Sequence, residues 1–127
     1  MCSSDLAPSI YSFMGVCLKE MERYREALAV LDKGLQLDPD RTDLYNLKGF
    51  CHFKLKEHEQ AIESFKAVLR INPGSAIDYA NIASNYRDMG NREKAIFYYQ
   101  MALSIDPAIT FARESLERLL SAGATQE

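Results

Sequence analysis

Apolar residues recur along the chain at the spacing of amphipathic helices, in pairs of stretches separated by short polar breaks. In the pair nearest the C-terminus, Ile82, Tyr86 and Met89 mark the apolar face of the first stretch. Gly90 and Asn91 follow, and this order is typical of a helix stop and a new N-cap. The second stretch carries its apolar residues at Ala95, Tyr99, Ala102 and Leu103. The pattern predicts two helices joined by a tight turn.

This helical pair occurs three times, because the sequence repeats itself at an offset of 34 residues. A proline, an alanine, a leucine and a tyrosine recur in step in every unit. These sets are Pro39, Pro73 and Pro107; Ala27, Ala61 and Ala95; Leu35, Leu69 and Leu103; and Tyr11, Tyr45 and Tyr79. The repeats are 8–41, 42–75 and 76–109. Since proline disfavours helical backbone in the residue before it, we expect a corner at the end of each unit.

Small residues in each unit predict that its two helices cross closely. The expected facing pairs are Gly15 with Ala27, Gly49 with Ala61, and Ala83 with Ala95. Cys17 and Cys51 occupy equivalent positions on the helix face between hairpins. We expect both to be small buried thiols.

Together these positions resemble the tetratricopeptide repeat, a helical hairpin of 34 residues. The third unit matches the family pattern almost position by position, at Tyr79, Ile82, Ala83, Tyr86, Ala95, Tyr99 and Pro107. The second unit departs from it, with Lys48 where the family has Leu and His52 where it has Tyr. The resemblance covers residues 8 to about 109. It implies an all-α fold, an α-solenoid of three helical hairpins in a right-handed superhelical arc.

Residues 110–122 predict a seventh helix that caps the C-terminal end of the domain 8–122. Its apolar face consists of Ala112, Leu116, Leu119 and Leu120. Arg113 and Glu117 stand where a continuing repeat would have aromatic and glycine positions. An end repeat needs such a polar outer side, because no neighbour buries it. Residues 123–127 are predicted to be a flexible tail.

The N-terminal end has no comparable cap. Residues 1–7 are predicted to be a disordered or non-native segment. The first helix is apolar on several sides, at Ile10, Tyr11, Phe13, Met14, Cys17, Leu18 and Met21. Local cover, contact with another chain and a missing upstream repeat are three open explanations. We favour an upstream repeat, which would make this sequence a piece of a longer protein.

The resemblance implies that the first helix of each unit lines a concave groove, the expected binding surface. The predicted groove residues are Ser12, Val16, Lys19, Asn46, Phe50, Phe53, Lys54, Ser84 and Arg87. Phe50 and Phe53 are the candidate anchors, since aromatic residues often carry the binding energy of an interface. The alternative is that both are ordinary packing between hairpins.

One subset of the family binds the free carboxylate of a chaperone tail through lysine, asparagine and arginine side chains. The matching positions here hold no cation pair: they are Ser12, Val16, Leu47, Ile77 and Asn81. We therefore do not expect chaperone binding of this kind. Binding of a different kind of partner is still an open alternative. Apolar contacts and hydrogen bonds from Asn46, Asn85 and Arg87 would hold it. The two amides could equally be solvated or capping groups.

The second helix of the third unit carries an apolar patch, and one explanation of this patch is self-association of the chain. Its residues are Phe97, Tyr98 and Met101. A dimer contact would explain the patch, because exposed apolar patches mark interfaces. The local explanation is that Tyr98 packs against Phe111 of the last helix.

Length, charge and composition argue against several classes of function. The 127 residues suffice for one domain, and a net charge of −3 without a basic run argues against nucleic acid. No stretch approaches the ~20 apolar residues of a membrane span, so we expect no membrane partner and a cytoplasmic location. The 3 cysteines lack metal-ligand spacing, and His52 and His58 are expected to be structural or solvated. No cofactor is predicted.

The sequence therefore predicts a protein-interaction scaffold that binds a peptide segment of a partner protein, and not an enzyme. No nucleophile, base and orienting group converge in the predicted arrangement. The alternative is a regulatory or docking fragment of a larger enzyme or assembly factor.

Overall fold

The computed structural model describes residues 7–125, which form seven α-helices and no strand. The helices are α1 (Pro8–Glu20), α2 (Tyr24–Leu37), α3 (Thr42–Lys54), α4 (His58–Ile71), α5 (Ala76–Asp88), α6 (Arg92–Ile105) and α7 (Thr110–Thr125). Each helix packs on the next along the chain, so the predicted all-α solenoid is confirmed. None of these helices combines the length and the hydropathy needed to cross a bilayer.

Each hairpin turns through one residue with a positive φ, and these residues are again 34 positions apart. They are Glu22 (φ 61°), Lys56 (φ 63°) and Gly90 (φ 84°). In the third turn the Asn91 N–H donates to the Tyr86 carbonyl over 2.9 Å, and equivalent bonds close the other two. This Schellman-type geometry ends the first helix of each pair. The Asn91 side chain accepts from the Lys94 N–H at 3.2 Å, which confirms the predicted stop and cap.

The corners between units lie at the repeated prolines. The second helices of the hairpins end at Leu37, Ile71 and Ile105. The residue before each proline is extended, as at Asp38, where φ is −144° and ψ is 93°. Since proline excludes helical backbone at that residue, each unit ends where the sequence predicts a corner.

Glycine allows the paired helices to cross closely, and the atoms nearest to it belong to a large side chain one turn after the predicted alanine. A Cβ at Gly15 would lie 2.6 Å from Leu31 Cδ2, and one at Gly49 would lie 2.6 Å from Phe65 Cζ. Leu31 lies one turn after Ala27, the expected partner of Gly15. The reason is that a helical side chain leans over the turn that precedes its own Cα. The large side chain therefore reaches the point of closest approach.

At the C-terminal end α7 packs on α6. Ala112 is fully buried in a cluster with Tyr99. The Arg92 guanidinium donates two hydrogen bonds to the Leu119 carbonyl, at 3.2 and 3.0 Å. The helix continues to Thr125, three residues beyond the predicted end of the cap helix at residue 122. Residues 126–127 lie outside the described part of the chain.

The N-terminal helix leaves apolar side chains exposed, with Phe13 at 68%. Of the predicted segment 1–7, only Ala7 falls within the described residues, as the N-cap of α1. Cys17 is exposed, so the prediction that it is buried is wrong. Its equivalent Cys51 is fully buried where α3 packs on α2, and this burial raises the pKa of the Cys51 thiol to about 11. No helix within residues 7–125 covers the corresponding face of α1.

Candidate peptide-binding groove

The first helices of the three units, together with α7, line one concave groove. A cleft of about 410 Å³ lies between α3, α5 and α7. A second cleft, of about 380 Å³, lies between α1, α3 and the beginning of α5. Asn46 lines both clefts, so the two are halves of a continuous surface.

Aromatic side chains form the walls of the larger cleft. These residues are Phe50, Phe53, Phe65 and Phe111. Its polar residues include Asn46, Ser84, Arg87, Ser115 and Arg118. An apolar recess with a few convergent polar groups is the usual composition of a ligand site. The cleft can therefore bury an apolar side chain while it hydrogen-bonds the groups beside it.

The structure brings the nine predicted groove residues to this one surface. Seven line the clefts: Ser12, Val16, Asn46, Phe50, Phe53, Ser84 and Arg87. The other two are Lys19 and Lys54, whose ammonium groups lie 5.1 and 5.9 Å from the centre of the Phe50 ring. That these residues bind a partner stays a prediction.

Phe50 and Phe53 differ in how far they belong to the core. Phe50 is half-buried and makes an edge contact with Tyr24, with ring centroids 6.4 Å apart. Phe53 is also half-buried, but it packs against the core cluster that contains Phe65 and lies edge-on to His58 at 5.9 Å. Phe53 therefore combines both alternatives, core packing and groove wall. Phe50 is the better isolated probe of the groove.

Arg87 is fixed at the groove by three hydrogen bonds. Its Nε donates to the Asp88 carboxylate at 2.9 Å. Its Nη1 donates to the hydroxyls of Tyr99, at 3.1 Å, and Ser115, at 3.2 Å. Tyr99 is fully buried, and its hydroxyl lies 2.7 Å from Ser84 Oγ. The guanidinium is therefore positioned by the fold itself, and little side-chain freedom is left to lose on binding.

The Asn46 and Asn85 side chains are both hydrogen-bonded within the protein. The Asn46 amide donates at 2.7 Å to the carboxylate of Asp78, which is only 2% exposed. The same carboxylate accepts from the Ser75 hydroxyl at 2.5 Å. Asn85 is 1% exposed, and its side-chain oxygen lies 2.9 Å from His58 Nδ1. Asn85 is therefore a structural group, which restricts its role at the groove to packing.

Asp43 is one of the two carboxylates that line the second cleft, together with Asp78. The Arg41 guanidinium donates to it at 3.0 and 2.8 Å and holds the pKa of this carboxyl below its ordinary range. Hydrogen bonds from the Ser12 hydroxyl and the Leu44 N–H act in the same direction. The Asp43 carboxylate is therefore ionised and already paired.

Three residues of α7 complete the larger cleft and were missed by the sequence reasoning, which treated this helix as a cap only. They are Phe111, Ser115 and Arg118. Each follows a residue of α5 by the repeat offset of 34, since the corresponding positions are Ile77, Asn81 and Ser84. Extending the offset past the third unit would have found them.

The residues predicted for self-association lie on α6: Phe97, Tyr98 and Met101. Phe97 is 54% exposed, whereas Tyr98 is half-buried and stacks on Tyr79 and Tyr86, with centroids 6.3 and 5.6 Å apart. The expected contact of Tyr98 with Phe111 is wrong, because Tyr98 turns towards α5 while Phe111 lines the groove. Self-association through this face stays a prediction.

Comparison with protein families finds the same repeats. One family model, described as tetratricopeptide repeat, matches residues 18–86, and a second model of that description matches residues 79–109. The first match alone spans more than half of the chain.

Two curated relatives are much longer proteins. Anaphase-promoting complex subunit 3 of Schizosaccharomyces pombe is 26% identical over 105 residues, which is 83% of this chain and 16% of the relative. A probable UDP-N-acetylglucosamine–peptide N-acetylglucosaminyltransferase of Arabidopsis thaliana, SEC, is 32% identical over 80 residues, 63% of this chain and 8% of the relative. The chain therefore spans less than a fifth of either relative.

A solved structure shares the arrangement of the helices. It is the first TPR domain of Spaghetti (RPAP3) bound to the HSP90 peptide SRMEEVD, with a TM-score of 0.86 and 20% identity. The alignment covers 92% of this chain and 93% of that domain. At this identity the similarity concerns the fold.

Proposed function

The chain belongs to the tetratricopeptide repeat family, and from this premise we propose that it holds a peptide segment of a partner protein in its concave groove. Its membership of a family of protein-interaction repeats supports a role in protein–protein interaction, and its fold is that of a TPR domain solved with a bound peptide. The groove as the binding surface is the finer part of the proposal.

The observation that carries the proposal is the larger cleft between α3, α5 and α7. Its volume of about 410 Å³ falls within the range of ligand pockets, roughly 300–1,000 Å³. Phe50 and Phe111 line it, and Arg87 is a fixed donor at its edge. This composition suits one large apolar side chain of a peptide, with hydrogen bonds to its neighbours.

The position of Asn46 supports binding of a segment rather than of a single side chain. Asn46 lines both clefts, so a peptide in the larger cleft continues along α3 towards α1. In that direction it meets Ser12 and Val16, where the second cleft is more polar and more open. The apolar anchor residue of the peptide therefore lies at the α5–α7 end of the groove.

Binding by the carboxylate clamp of the family is not part of this proposal. The positions that match the clamp are uncharged: Ser12, Val16, Leu47, Ile77 and Asn81. Four of them line the clefts, and Ile77 is 44% exposed. A carboxylate at those positions would lose water without gaining a cation.

A second candidate function is a docking region of a larger enzyme or assembly factor. The two relatives support it, because each contains the matching stretch within a far longer chain. In that case the groove binds a peptide through the same residues, and the peptide belongs to another part of the larger enzyme or to another subunit of its assembly.

Selection from a random peptide library displayed on phage tests the groove. Peptides selected on the wild-type chain should bind the Phe50→Ala variant at least about tenfold more weakly, since an interface anchor is removed. Phe97→Ala is the matched control, because this exposed aromatic residue lies on α6 outside both clefts. Thermal unfolding by circular dichroism checks that both variants fold.

Equal loss in the two variants, or peptides that bind the Phe50→Ala variant as tightly as the wild type, would overturn the groove as the binding surface. A selection that yields no peptide dependent on Phe50 would have the same meaning.

A further inference from the structure

Two guanidinium groups converge on one buried hydroxyl at the α5–α7 end of the groove. Arg87 Nη1 donates to Ser115 Oγ at 3.2 Å, and Arg118 Nη2 reaches the same oxygen at 3.5 Å. Ser115 is 2% exposed, so the hydroxyl is fixed while both cations face the larger cleft. Two like charges this close repel each other unless an anion lies beside them.

One of the two arginines is ion-paired with a carboxylate. Asp88 accepts from Arg87 Nε at 2.9 Å. Arg118 takes part in none of the ion pairs formed within the described part of the chain. Of the two arginines that line this end of the cleft, Arg87 is therefore ion-paired and Arg118 is not, within the described residues.

The remaining charges along the groove point to an acidic ligand as well. Lys19 and Lys54 lie over the Phe50 ring, at the middle of the groove. Of the acids of the groove, Asp43 is ion-paired with Arg41, whereas Asp78 is hydrogen-bonded to the neutral Asn46 amide and Ser75 hydroxyl. Lys54 forms no ion pair within the described part of the chain and is therefore a further cation for a ligand, whereas Lys19 lies 3.4 Å from the Glu20 carboxylate.

We propose that this end of the groove is an acidic-residue subsite: an aspartate or glutamate side chain of the bound peptide lies between Arg87 and Arg118, beside Ser115. A large apolar side chain of the same peptide fills the adjoining space between Phe50 and Phe111. The subsite rests on the proposed function, and it is distinct from the clamp positions, which carry no cation.

The charge count favours a carboxylate over a phosphate. A carboxylate carries one negative charge and matches the one guanidinium, of Arg118, that no ion pair of the described residues offsets, whereas a phosphorylated side chain carries about −1.5 to −2. The planar guanidinium groups also suit the two oxygens of a carboxylate. Arg87 is held in place by Asp88, Tyr99 and Ser115, so little ordering is needed when the anion binds.

Selection with the same phage library on two variants tests the subsite. Peptides selected on the wild type should contain an aspartate or glutamate beside a large apolar residue. The Arg118→Gln variant should select peptides that keep the apolar residue and lose the acidic one. Arg113→Gln is the matched control, since Arg113 is an exposed arginine of α7 that donates to the Pro107 carbonyl outside the cleft.

Titration of a selected peptide, synthesised with both ends blocked, measures how much its acidic residue contributes to the binding affinity. Replacing its acidic residue by the amide should weaken binding to the wild type about tenfold or more, and binding to Arg118→Gln by less than about twofold. Blocked ends exclude a terminal carboxylate as the anion. A gain in affinity on freeing the C-terminus that exceeds the effect of the acidic side chain would overturn the subsite, and so would tighter binding of a phosphoserine in its place.

The two proposals fail in different ways. Selected peptides that depend on Phe50 but contain no enriched acidic residue would overturn the subsite and leave the groove function standing. Peptides that depend on neither Phe50 nor Arg118 would overturn both.

Discussion

The ring of Phe65 occupies the space that a side chain at Gly49 would need. A Cβ at Gly49 would lie 2.6, 2.7 and 2.8 Å from the Cζ, Cε1 and Cε2 atoms of that ring. Phe65 is 3% exposed and forms part of the wall of the larger cleft. The close crossing of α3 and α4 therefore determines both the core of the second hairpin and the shape of the groove.

Gly49→Ala should lower the free energy of unfolding by about 1–3 kcal/mol, because the buried ring of Phe65 cannot move aside without strain. Urea unfolding followed by circular dichroism measures the change. Gly74→Ala is the control: a Cβ there would meet only the Asn72 side-chain oxygen, at 3.9 Å. We expect the control to stay within about 0.5 kcal/mol of the wild type. Equal stability of the two variants would contradict the close packing at Gly49.

The hairpin turns predict one stabilising and one destabilising substitution, because a glycine and a non-glycine residue adopt the same positive φ in different turns. Lys56 has a φ of 63° and Gly90 a φ of 84°. An L-residue in this region is strained by roughly 1–2 kcal/mol, so Lys56→Gly should stabilise the fold by up to about 1 kcal/mol. Gly90→Ala should destabilise it by about 1 kcal/mol, although nothing lies within 4 Å of the added Cβ. Thermal unfolding measures both changes, and two shifts of the same sign would disprove the shared geometry.

The helix pairs could be predicted from sequence because each is determined by signals within a single unit. Gly90 and Asn91 end one helix and cap the next, and Pro107 forbids continuation of the second. These effects act over a few residues and do not depend on the neighbouring hairpins. The same offset brings the groove residues to one face, since it places each on the first helix of its unit.

The depth of individual side chains could not be predicted in this way. Ser12, Asn46 and Ala80 share one repeat position, yet the first two line the clefts and Ala80 is fully buried. Cys17 and Cys51 likewise share a position and differ in burial. Burial depends on what the adjacent hairpin places opposite each residue, and periodicity within one unit contains no information on that.

Low pH should destabilise the contact between the first two hairpins, because this contact depends on the negative charge of Glu57. Hydrogen bonds from Arg25 on α2 and then from His52 hold the pKa of the Glu57 carboxyl below its ordinary value. A lowered pKa in the folded state gives stability that is present above the unfolded pKa and is lost as the pH falls through the folded pKa. The free energy of unfolding of Glu57→Gln should therefore change less than that of the wild type between about pH 6 and pH 3. Urea unfolding across this range measures the slope, with the exposed Glu63→Gln on α4 as the control. Parallel curves for the wild type and Glu57→Gln would show that the Arg25 contact contributes nothing to folding.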